Sequence, residues 1–205
     1  MENRIDSIPQ DQIVYLWYLD GQNVIAGSIN PYDSTLYIAT VVDSIDQNIY
    51  KVYAYTTKQG FIDFGDQNGF NHRSMIEFEE RMDEARQNGE PSESQILRIY
   101  EDIFGNVDDT RANFLFGHDF CAGHGENNPF TTIGKYMPLY APGWGNKVSS
   151  LSSPLAVYYG FWGFDRRWFF KSLGVFWTWS GGPAFPICLP FWMDNKVESS
   201  IKFLW

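Results

Sequence analysis

The sequence predicts a two-part protein: an α+β domain over residues 1–108, built as an antiparallel meander plus two helices, then an all-β sandwich over residues 112–205. Three observations predict it. Residues 1–110 hold 20 Asp/Glu against 7 Lys/Arg, a balance of −13, whereas residues 111–205 hold 5 against 8, a balance of +3. Seven of the eight Trp fall in the second part, and helical periodicity is confined to the first. A joint shift in charge, aromatic content and periodicity marks a domain boundary.

The elements follow in order. Residues 12–19 are rich in β-branched and aromatic residues, and Asp20-Gly21 is a strong hairpin signal. Further strand-like runs cover 23–28, 35–42, 48–55 and 61–64, with Asn30-Pro31 and residues 43–47 as turns. Residues 64–71 resemble a calcium loop, but Met75 stands where the bidentate Glu is needed, so the segment reads as a glycine-rich turn. Ser74 with Glu77 has capping-box spacing and opens a helix with an apolar stripe of Met75, Phe78, Met82 and Ala85. Ser92 with Gln95 repeats that signal ahead of Ile96, Ile99, Tyr100, Ile103 and Phe104, and Gly105 stops the second helix. The Glu and Asp on the outer faces read as solvated surface. Residues 106–110 serve as the linker. Beyond them, short aromatic strands alternate with Gly, Pro and Asn.

Composition excludes some functions. A net charge of −10 argues against nucleic-acid binding, which needs a basic footprint to neutralise phosphates. No apolar run reaches ~18 residues, so no membrane span is read. Residues 1–6 lack the apolar core of a secretory signal, which leaves a cytoplasmic location as the default. Cys121 and Cys188 either form one bridge across the second part or stay as two reduced buried thiols.

Two stretches near the C-terminus repeat each other. Trp144-Gly145-Asn146-Lys147-Val148-Ser149-Ser150 and Trp192-Met193-Asp194-Asn195-Lys196-Val197-Glu198-Ser199-Ser200 both place Asn-Lys-Val before paired serines. Each lies downstream of aromatic residues: Phe116 and Phe120 with Gly123, then Tyr159 and Phe164. This arrangement resembles the βγ-crystallin family, in which an aromatic hairpin opens each Greek-key motif and an Asn/Asp-rich turn leading to Ser-Ser closes it. The resemblance covers residues 112–205, two motifs and hence one Greek-key sandwich. Departures are plain: the first aromatic pair is one residue tighter than the family pattern, Arg166 stands where the second copy's Gly would fall, and Glu198 where Ser or Thr is expected.

In Ca²⁺-binding members of that family the turn supplies backbone carbonyls and a Ser/Thr hydroxyl. The resemblance therefore implies Ca²⁺ as cofactor, with Asn146 and Ser149 as ligands in the first copy and Asp194, Asn195, Glu198 and Ser199 in the second. Such oxygens suit a hard cation. The alternative is that both turns are hydrogen-bonded corners holding no ion.

Two other constellations carry chemistry. His118, Cys121 and His124 pack three zinc-type donors into seven residues, or a cysteine nucleophile beside a histidine base; a fourth zinc ligand would have to come from Glu126, His72 or a water, and the plainer reading is an aromatic hairpin. Trp162, Trp168, Trp177 and Trp179 form either sandwich core or an aromatic surface for a protein or carbohydrate partner. No P-loop, dinucleotide glycine pattern, Gly-x-Ser-x-Gly elbow or His-Glu-x-x-His helix is present. The expectation is thus a non-enzymatic binding or structural protein. A hydrolase using His118, Cys121 and His124 comes second, and a protease inhibitor or toxin-like secreted protein third.

Overall fold

The computed structural model describes residues 12–105, 115–118, 127–130, 136–137, 148, 150–152, 156–164, 172–181, 187–194, 196–197 and 199–204. The elements run β1 (Val14–Leu19), β2 (Gln22–Val24), β3 (Tyr37–Val42), β4 (Ile49–Tyr55), α1 (Lys58–Asn68), α2 (His72–Gln87) and α3 (Glu93–Phe104). Strands follow: β5 (Leu115–His118), β6 (Asn127–Phe130), β7 (Tyr136–Met137), β8 (Ser150–Ser152), β9 (Ala156–Phe164), β10 (Ser172–Gly181), β11 (Ile187–Cys188) and β12 (Ser199–Leu204). The fold is mixed α+β.

Asp20 (φ 46°) and Gly21 (φ 82°) make the expected tight turn between β1 and β2, since both central residues of such a turn need positive φ. The four N-terminal strands are not an antiparallel meander, however. Their order is β2-β1-β4-β3, and β1 lies parallel to β4. Residues 58–68 form a helix, not a strand and turn. The Thr57 hydroxyl accepts from the Gly60 N–H, and Gly69 closes the helix in the left-handed region at φ 73°. Helix α2 begins at His72, so Ser74 lies inside it rather than capping it. The Ser92–Gln95 capping box of α3 is present in both directions.

Two sheets are built. One has eight strands in the order β2-β1-β4-β3-β10-β9-β12-β7; the other has four, β11-β8-β5-β6. The larger sheet takes strands from both sides of the 108–112 segment, because β3 and β10 pair in parallel, Ala39 opposite Val175 through Val41 opposite Trp177.

Strand alternation sorts the side chains into two apolar layers. Ala39, Tyr55, Phe164, Val175 and Trp177 face the helices and pack with Phe61, Met75, Phe78 and Tyr100. Ile38, Val42, Tyr50, Val52 and Phe176 face the other way, onto Val148, Leu151, Ile187, Trp192 and Val197. The molecule is therefore layered as helices, large sheet, small sheet.

Candidate binding pocket

A cavity of about 240 Å³ lies between α2 and the start of β3 and β10. Helix α2 supplies one wall as a single stripe that runs from core to mouth: Met75 and Ile76 are buried, Glu79 is half-buried and Asp83 is exposed. Residues four apart share a helix face, which is why these line up. Phe61, Tyr37 and Trp162 add aromatic surface, and Ser34, Ser172 and Arg86 add polar groups.

A β-bulge sets the sheet side of the pocket. Register shifts between Ser172 and Gly174, and Gly174 adopts φ +94°. A Cβ there would sit 2.7 Å from the Ile38 carbonyl oxygen, so glycine is required twice over, by its φ and by the close approach. The bulge brings the Ser172 hydroxyl to three partners. It accepts from the Trp162 indole N–H at 2.8 Å and from the Gly174 N–H at 3.1 Å. With both lone pairs taken, its own hydrogen goes to the Glu79 carboxyl.

The electrostatics of Glu79 follow from its place. It is half-buried, and that burial, then the nearby Asp83 carboxylate, push its carboxyl up to about 7; the Ser172 hydrogen bond, Lys58 and Arg86 pull the other way. Asp83 itself is ion-paired with Arg86 at 2.7 Å. The pocket thus holds one carboxyl that changes protonation near neutrality and, at its mouth, a second that is ion-paired with Arg86.

Behind the pocket, His72 locks the helical layer to the sheet. It is fully buried, with Nδ1 2.9 Å from the Phe61 carbonyl oxygen and Nε2 receiving the Trp177 indole N–H at 3.2 Å. A carbonyl only accepts and an indole N–H only donates, so the ring is neutral with its proton on Nδ1. Burial drives its pKa down to about 4.

The residues expected from sequence fall elsewhere. Trp162 and Trp177, at 2 % and 0 % exposure, are core residues that hydrogen-bond Ser172 and His72, and Trp162 also lines the cavity. Their burial follows from β9 and β10 being interior strands with helices over one face. Trp179 lies in β10, and Trp168 lies outside the described residues. Of the Ca²⁺ candidates, Asn146, Ser149, Asn195 and Glu198 lie outside the described residues. Asp194 sits half-buried in the turn before β12, close enough to Tyr15 to help raise its hydroxyl pKa, and Ser199 begins β12. Among the described residues, no three His, Cys, Asp or Glu side chains gather as a metal site.

His118 is in β5 beside Ser150 of β8, whereas Cys121 and His124 lie outside the described residues. Cys188 is disulfide-bonded, and the chain's other cysteine is Cys121. No described helix is long and apolar enough to cross a membrane.

The sequence does not single out Glu79 or Ser172, and it offers His72 only as a fourth zinc ligand for the His118, Cys121 and His124 cluster. Glu79 reads there as one more acid on a solvated face, and no local pattern marks an exposed serine that a bulge sets at the wall of a cavity. No protein-family model, curated protein or solved structure matches the chain.

Proposed function

We propose that this chain is a non-enzymatic ligand-binding protein whose pocket between α2 and β10 takes a small molecule with one apolar face and one hydrogen-bonding or cationic end. The observation that carries the reading is the Gly174 bulge, a backbone position open to glycine, which sets the Ser172 hydroxyl beside Glu79 at the wall of a cavity. An apolar concavity with a few convergent polar groups is the usual form of a small-ligand site. The aromatic walls suit a flat or ring-shaped ligand, and Glu79 suits a donor or a cation. A fragment screen by protein-observed NMR tests this. Hits should shift the Trp162 indole, Ser172 and Met75 signals together; a library that moves none of them at millimolar concentration overturns the reading.

For the C-terminal half we propose a βγ-crystallin-like Greek-key domain. Strand order supports it. In a Greek key the fourth strand returns to lie beside the first, in the order 4-1-2-3. Here β8-β5-β6 and β12-β9-β10 each give 4-1-2, while the third strands, β7 and β11, sit in the opposite sheet beside the other set's fourth strand. The register agrees between the sets. Ser150, Leu151 and Ser152 pair with His118, Gly117 and Phe116; their counterparts 49 residues on, Ser199, Ser200 and Ile201, pair with Phe164, Gly163 and Trp162. Both copies of the Asn-Lys-Val turn run into those fourth strands, with Val148 and Val197 fully buried.

A Ca²⁺ site at these turns belongs to the same proposal and is tested separately. With Ca²⁺ at about 100 times Kd, one site adds about 2.7 kcal/mol of stability over EDTA. Thermal unfolding should show that gain in the native chain and lose it in Asp194→Ala; no gain means both turns are structural corners.

A further inference from the structure

We propose that His72 is an acid-sensitive latch on the pocket: a proton on its Nε2 would face the Trp177 N–H, donor against donor, and release the α1–α2 layer from β10. This rests on the pocket reading, because what it regulates is that pocket.

The geometry is specific. His72 joins three elements at one point. It donates from Nδ1 to Phe61 of α1, stands at the first position of α2, and accepts from Trp177 of β10. Its ring stacks on Phe61 at 3.9 Å and 7°, and Phe70 stacks on Trp177 at 4.3 Å and 8°. Protonation converts the imidazole into a double donor. The Phe61 bond survives, but the Trp177 N–H, 3.2 Å away and buried, loses its acceptor and meets a second hydrogen. Relief requires the helices to move off the strand.

The moving parts are walls of the cavity. Phe61 lines it and is the ring stacked on His72, and Met75 and Ile76 follow His72 within about one helical turn. Among the described residues, Asp66 is the one carboxylate that favours a charge on His72. From α1, Asp66 favours the proton, but its carboxylate is tied to Arg73 at 2.7 Å. From α2, Arg73 follows directly in sequence and opposes it. Phe70 of the connecting turn and Trp177 of β10 are uncharged. Glu79, whose carboxyl changes protonation near 7, is the other shifted group at the pocket, so it must be separated from His72 in any test.

Hydrogen exchange of the Trp177 indole N–H in the full chain makes that separation and needs no ligand, so it fails or succeeds independently of ligand binding. Between pH 6.5 and 4, an opening linked to one proton lowers protection by about tenfold per pH unit, after correction for intrinsic exchange. We expect that slope at Trp177, together with a moving Met75 methyl signal, while amides at the centre of the large sheet stay protected. Glu79→Gln should keep the slope. His72→Gln, a neutral side chain that still offers Trp177 an acceptor, should abolish it; should that variant not fold, Trp177→Phe serves, since removing the opposing donor should raise the midpoint of the His72 ring titration. The proposal is overturned by a pH-independent Trp177 signal, by loss of the slope in Glu79→Gln, or by loss of protection across the whole sheet at once.

Discussion

At the scale of single residues, two buried groups near the pocket pull stability in opposite directions with pH. The folded-state pKa of His72, about 4, lies below its ordinary 6.5, so the folded chain holds fewer protons than the unfolded one between those values. Stability therefore falls as pH drops through that window, by up to about 3 kcal/mol in total. Glu79 sits at about 7 against an ordinary 4.5, so the folded chain holds more protons there, and its contribution is lost as pH rises from 4.5 to 7. From 4.5 to 6.5 the two slopes offset each other. Urea unfolding across this range should give a shallow profile for the native chain. In Glu79→Gln, stability should rise with pH by about 1.4 kcal/mol per unit below 6.5. An equally flat profile in that variant would show that Glu79 is not perturbed as its surroundings indicate.

At the scale of elements, the bulge in β10 and the cap of α3 are the positions where one atom matters. Gly174→Ala should destabilise by about 2–3 kcal/mol, because the methyl meets the Ile38 carbonyl and the left-handed backbone strains any other residue. Ser92→Ala removes a two-way capping box on an otherwise exposed helix start and should lose about 1 kcal/mol. Both are read from denaturant midpoints, and a neutral Gly174→Ala would mean that the bulge does not hold Ser172.

These elements also show what the sequence could reveal. Helix α3 was legible because its cap and apolar stripe agree. Helix α1 was not: Gly60 and Gly65 look like turn residues, yet Gly65 is where the His72 side chain packs, and a Cβ there would lie 2.6 Å from it. Strand register places Phe116-Gly117-His118 and Trp162-Gly163-Phe164 at matching positions opposite the two serine-bearing strands, a match that the spacing of Tyr159 and Phe164 does not suggest. Gly163 lies under Met193 and Val197 of the repeated turn, a packing reason that only the pairing reveals. Glu79 and Ser172 come together from positions 93 residues apart, and local sequence carries no trace of such a meeting.

At the scale of the whole molecule, the charge and Trp asymmetry marks a change of composition through which the large sheet nevertheless continues. Beyond the β3–β10 pairing, the Tyr50 hydroxyl donates to the Cys188 carbonyl at 2.6 Å, the Phe191 N–H donates to the Tyr15 hydroxyl, and Trp177 reaches His72. Apolar layers on both faces of the sheet mix residues from either side of 108–112. Calorimetry should therefore give one unfolding transition, with calorimetric and van't Hoff enthalpies in agreement. Two separate transitions would mean that the shared sheet does not couple the halves. The composition shift reports a difference in surroundings: an acidic, helix-bearing outer layer on one side, aromatic strands on the other.

The central claim is that the cavity between α2 and β10 exists to hold a small ligand. Soaking crystals of the native chain with the fragments that shift Trp162 and Ser172 tests it most directly. Density should appear within hydrogen-bond reach of Glu79 and Ser172, packed against Phe61 or Trp162, and should be missing in Glu79→Gln for fragments that present a cation. Fragments scattered over the surface with the cavity empty, or a cavity closed by its own side chains, would contradict it.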